Sequence, residues 1–156
     1  MNTTVIGLDK EQTEKLISEL NLLLANFQVY YQNVRGLHWN IKGKNFFELH
    51  VKFEEFYTDA QEKVDLIAER ILTLQGTPLH TFDDYVKIAK VQIGKNISKD
   101  EEAVTLVVNS TSELLKIERI ILELSDVAGD EGTNSMMSDF IAEQEKMLWM
   151  MNAWLS

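Results

Sequence analysis

Two of the three histidines in this chain, His38 and His50, stand twelve residues apart in the stretch "GLHWNIKGKNFFELHVKFEE". Glu54 follows the second by four residues, and "VDLIAER" then sets Asp65 and Glu69 four apart again. Neutral imidazoles and carboxylates are the donors that hold divalent first-row metals, and this set suits iron where an oxidation is to be performed. Each pair taken alone is more often the solvated face of a helix, since i, i+4 acidic residues and single helical histidines are common.

The elements that position these residues follow from apolar spacing. Ile17, Leu20, Leu24, Phe27, Tyr31 and Val34 recur at helical intervals, with Asp9 and Gln12 as a capping box before them and Gly36 near the end. A second helix is predicted over about 46–75, striped by Leu49, Phe53, Phe56, Ala60, Val64, Ile67, Ile71 and Leu74, and stopped by Gly76 and Pro78. A third starts at Ser98, where Ser-Lys-Asp-Glu reads as a capping box, and carries Ala103, Val107, Ser110, Leu114, Ile117, Ile121 and Leu124. The stretch "SDVAGDEGTNS" breaks it, and a fourth helix runs from about Asn134 to Leu155. Residues 77–97 form a long connection with a short amphipathic piece, "FDDYVKIAKV". Four long amphipathic helices with one long central connection predict an all-α, ferritin-like four-helix bundle, spanning 1–156 as one domain.

A helical wheel on the second helix locates the candidate ligands. With His50 at zero, Glu54 falls at about 40°, Asp65 at about 60° and Glu69 at about 100°, while the apolar stripe centres roughly 130° away. The four share one face, and that face points away from their own bundle. His50 and Asp65 are also roughly 22 Å apart along the axis, too far for ligands bound to one ion at about 2.0–2.6 Å. A two-fold axis through the helix midpoint removes the difficulty. An antiparallel copy sets His50 and Glu54 of one subunit opposite the Asp65 and Glu69 positions of the other, with His38, just past the first helix, joining the His50 end.

Composition bounds the remaining possibilities. At 45% apolar and 26% charged residues the chain is neither disordered nor collagen-like. It has no cysteine, hence no disulfide or thiolate metal site. No apolar run approaches the roughly 18 residues of a membrane span, and no secretory leader is visible, so a cytoplasmic location is expected. The net charge of −10 attracts cations, and neither terminal stretch is a basic arm, which argues against DNA binding.

The residues His38-Trp39-Asn40, Phe46, His50, Asp65 and Ala68-Glu69-Arg70 resemble the signature of the Dps family, the miniferritins. That resemblance implies a dodecameric homo-oligomer around a cavity. It implies ferroxidase sites at two-fold interfaces, with Fe(II) and hydrogen peroxide as substrates and ferric mineral stored inside. His38, His50 and Glu54 are then contributed by one subunit, and Asp65 and Glu69 by the other. Relatives often carry Asp where Glu54 stands, which leaves the second iron position open. Zn(II) is expected as a competitor, and a nucleoid-binding, DNA-protecting role is the alternative reading.

Further expectations attach to single residues. Trp39 packs over the site or traps a stray radical, and Arg70 pairs with Glu69. Asp126, Asp130 and Glu131 lie in a turn that the resemblance makes an iron entry path, although Asp and Gly also simply make turns. The methionines of the fourth helix are read as core packing, and His80 as an exposed residue of the connection.

Overall fold

The computed structural model describes residues 2–156 as five helices: α1 (Lys10–Asn40), α2 (Phe46–Thr73), α3 (Phe82–Ile88), α4 (Asp100–Ala128) and α5 (Glu131–Leu155). α1 packs against α2, α3 and α4, and α4 packs against α5. The buried apolar set on α2, Leu49, Phe53, Ala60, Ile67 and Ile71, is the stripe read from the sequence. It meets Leu16, Leu20, Leu24 and Phe27 of α1, and Leu114 and Ile121 of α4, in one core. Among the described residues, no helix is long and apolar enough to cross a membrane.

The long connection explains the topology. It starts beside the first half of α1, where the Asn21 side chain bonds the backbone of Thr77 and Leu79. It then climbs α1: buried Asn26 accepts from the amides of Lys90 and Val91, and buried Asn33 bonds Gln92 and Gly94. α4 thus begins at the far end, where Lys42 N–H donates to the Ser98 carbonyl and Asn45 donates to Asp100. Buried side-chain amides satisfy backbone groups of a connection that has no helix of its own there. Gly94 lies so close to α4 that a Cβ would meet Leu106 at 2.5 Å.

Several boundaries differ from the sequence expectation. His38 does not lie past α1, which runs four residues beyond Gly36 to Asn40 and carries His38 inside its last turn. Buried Leu37 and Ile41 anchor that turn, and Asn40 bonds the Gly36 carbonyl at 2.9 Å. Ser98 does not cap α4. Lys99 is the N-cap and gives no side-chain cap, while Asp100 accepts the Glu101 amide and a bond from Asn45. The break after α4 is much shorter than "SDVAGDEGTNS" suggests. Only Gly129, at φ 68°, and Asp130 separate α4 from α5. Glycine accepts this left-handed conformation at the helix end without strain. The cap by Asp9 is formed, with Gln12 N–H donating at 3.0 Å.

Candidate metal centre

The last turn of α1 and the first turns of α2 are brought face to face by the short reversal at 41–45. His38 Nδ1–H donates to the His50 carbonyl at 2.6 Å, and His50 Nδ1–H donates to the His38 carbonyl at 2.7 Å. The rings stack with centroids 3.8 Å apart and planes 12° from parallel. A carbonyl only accepts, so each Nδ1 carries a proton, and in the neutral ring the lone pair is left on Nε2. This tautomer leaves Nε2 as the nitrogen open to a metal, and backbone fixes it before any ion arrives. Phe46 stacks on the other side of His50 at 4.9 Å, restricting the ring further.

Glu54 lies one turn beyond His50 and is exposed. Tyr57, three residues on, donates its hydroxyl to Glu54 Oε1 at 3.4 Å and sets its ring edge-on to His38 at 5.4 Å. Burial raises the Tyr57 phenol above its ordinary range, and the Glu54 charge adds to this. Tyr57 has no place in the ligand pattern, yet its i+3 spacing from Glu54 and i+7 from His50 put it on the same face.

Asp65 and Glu69 are exposed farther along α2. Glu69 is held above the usual carboxylate range, first by its hydrogen bond with Asp65 and then by the Asp65 charge. Two carboxylates so placed repel when both are ionised, and a cation between them relieves the repulsion. Among the described residues of one chain, no three histidine or acidic side chains gather around a common point. His38 of α1 and His50 of α2 are brought together; Asp65 and Glu69 form a separate group farther along α2.

Arg70 does not pair with Glu69. Its guanidinium turns inward, bonds Asp130 at 2.5 Å and Thr133 Oγ1 at 2.9 Å, and packs on Gly132, tying α2 to the start of α5. Asp130 also caps α5 by accepting the Thr133 amide and is only 2% exposed. Asp130 therefore does not line an open path. Asp126, in the last turn of α4, and Glu131, in the first turn of α5, remain at the surface. Trp39 does not cover the histidines; its ring lies under the Arg35 guanidinium at 4.9 Å and is 57% exposed. Met137 and Met151 are buried in the core, and His80 is exposed.

A second polar cluster lies inside the bundle. Glu118 of α4 is fully buried, accepts a bond from Gln144 of α5, and has its other oxygen unpartnered. Burial pushes its carboxyl up to about 8. Lys63 of α2 is also buried, between Asp59 and Glu143. Glu118 was legible as an acid inside an apolar stripe, four after Leu114 and three before Ile121.

Residues 17–156 match the family model for the ferritin-like domain. The DNA protection during starvation protein of Porphyromonas gingivalis is 40% identical over 150 residues, covering 96% of this chain and 94% of that protein. The crystal structure of a Dps protein from Vibrio cholerae O1, a member of a broad superfamily of ferritin-like diiron-carboxylate proteins, superposes with a TM-score of 0.98. It is 53% identical and covers 100% of this chain and 98% of its own. A Dps structure from Bacillus brevis gives a TM-score of 0.90 at 34% identity, covering 94% of this chain and 98% of that one.

Proposed function

This chain belongs to the Dps proteins of the ferritin-like family, and from that premise we propose that it oxidises Fe(II) at sites shared between two subunits. Hydrogen peroxide is the preferred oxidant, and the ferric product is stored as mineral inside a dodecameric shell in the cytoplasm, which protects against oxidative stress. One observation carries the reading. A preset histidine pair stands where the end of α1 meets the start of α2, a carboxylate pair stands farther along α2, and within a single chain the two do not meet. A second, antiparallel copy completes each site, with His38, His50 and Glu54 from one subunit facing the Asp65 and Glu69 positions of the other.

The chemistry fits the donors. Neutral Nε2 atoms and carboxylates bind Fe(II), and the carboxylates favour the more highly charged Fe(III). Two Fe(II) each give one electron to peroxide, its O–O bond breaks, and two protons complete two waters, so no hydroxyl radical leaves the site. Zn(II) takes the same donors without redox chemistry and so competes. Asp126 and Glu131, surface carboxylates at the α4–α5 turn, are the proposed entry path.

DNA protection is the second reading, favoured by the relatives' name. A net charge of −10 per chain opposes it, because contact with phosphate needs lysine and arginine to displace counterions.

Apo-protein loaded with Fe(II) without oxygen, then given limiting peroxide, tests the proposal through ferric absorbance. Fast oxidation is expected in the parent and not in a His50→Ala/Asp65→Ala variant; equal slow rates in both would rule out the ferroxidase reading.

A further inference from the structure

Tyr57 does more than border the histidines. Its hydroxyl faces a candidate ligand oxygen, Glu54 Oε1, at 3.4 Å, and its ring edge meets His38 at 5.4 Å. It thus touches both kinds of donor, an imidazole that can pass an electron and a carboxylate that can take a proton. Tyr31 lies edge-on to it at 6.0 Å. Beyond Tyr31, the Arg35 guanidinium sits 5.2 Å from that ring and 4.9 Å from Trp39.

Resting on the ferroxidase reading above, we propose that Tyr57 is a one-electron donor to the site, supplying the second electron to peroxide when only one Fe(II) is bound. Peroxide takes one electron from Fe(II) and one from Tyr57, and its O–O bond breaks. Two protons from solvent complete two waters. The phenolic proton passes to the Glu54 oxygen it faces, leaving a neutral phenoxyl radical. A later Fe(II) reduces that radical, with return of the proton, so the oxidising equivalent still ends as Fe(III).

The charges around the neighbouring rings keep the radical on Tyr57. Oxidised Trp39 is a cation until it loses a proton, and it lies directly under the Arg35 charge. Tyr31 lies beneath the same guanidinium. Among the described residues, Tyr57 is the ring of this group whose hydroxyl faces a carboxylate. A tyrosyl rather than a tryptophanyl radical is therefore expected, although Trp39 is the more exposed ring.

Freeze-quenched electron paramagnetic resonance on the assembled protein decides this. The parent, loaded anaerobically with less than one Fe(II) per site and mixed with peroxide, should show an organic radical alongside Fe(III). The signal should narrow when the protein carries ring-deuterated tyrosine, disappear in Tyr57→Phe and persist in Trp39→Phe. The Tyr57→Phe variant loses only a hydroxyl and should still form Fe(III) at saturating iron. Fe(III) without a radical in the parent, or a radical that survives Tyr57→Phe, would overturn the donor role alone. No Fe(III) in the parent would overturn the ferroxidase reading, and the donor role with it.

Discussion

His38 and His50 hold each other crosswise, each Nδ1–H donating to the other's backbone carbonyl at 2.6 and 2.7 Å. Neither ring is positioned without the other's backbone, and the stacked rings, 3.8 Å apart, leave little freedom to compensate.

Metal affinity should accordingly respond to the pair as a unit. His38→Ala and His50→Ala should each lower Fe(II) or Zn(II) affinity by at least about tenfold, the scale set by loss of supporting contacts alone. The double variant should lose much less than the sum of the two, because the remaining ring in either single variant has lost its stacking partner. Anaerobic calorimetric titration of the three variants measures this coupling.

Arg70 and Glu69 are neighbours with opposite duties. Arg70→Met leaves buried Asp130 without its cation and should cost about 3 kcal/mol, seen as a lower urea midpoint. Glu69→Gln, at an exposed position, should leave the midpoint nearly unchanged while weakening metal binding. A similar loss of stability in both would place Arg70 back on Glu69.

Glu118 makes stability depend on pH. Its folded carboxyl titrates at about 8 against an ordinary 4.5, so the native state holds a proton that the unfolded chain has released. Stability from this group is full below the unfolded value and falls as pH rises from 4.5 towards 8, by roughly 3 kcal/mol at pH 7. Glu118→Gln stays neutral throughout and keeps an oxygen for Gln144. It should be more stable than the parent at pH 7 and flatten this part of the profile, as measured by urea melts between pH 5 and 8.

With a charge of −10 per chain, the assembled protein should not retard linear DNA in a gel even at low salt. Retardation that disappears as salt is raised would restore the DNA-protecting reading.

What was legible in the sequence was whatever repeats at helical spacing. Ile67 and Ile71 sit in the stripe and the core, and Asp65 and Glu69 sit on the opposite, exposed face. Contacts between distant elements were not legible. His38 read as lying just past α1 because nothing local shows that buried Leu37 and the His38–His50 bonds hold one more turn after Gly36. Arg70 has Glu69 beside it in sequence, but its partner Asp130 is sixty residues away. Tyr57 and Glu118 lay within the reach of pattern reasoning, the first on the ligand face and the second inside a core stripe. Neither belongs to a ligand spacing, and both show their significance only through what surrounds them.

The central claim is that each site is divided between two subunits, and mixing inactive variants tests it most directly. His50→Ala and Asp65→Ala assemblies should each be inactive in peroxide-driven Fe(II) oxidation. Co-assembled one to one, half the dimers pair unlike chains, and each of those holds one site with both halves intact. About a quarter of the parental activity should therefore return. Activity no greater than that of the separate variants, in assemblies shown to contain both chains, would contradict a shared site.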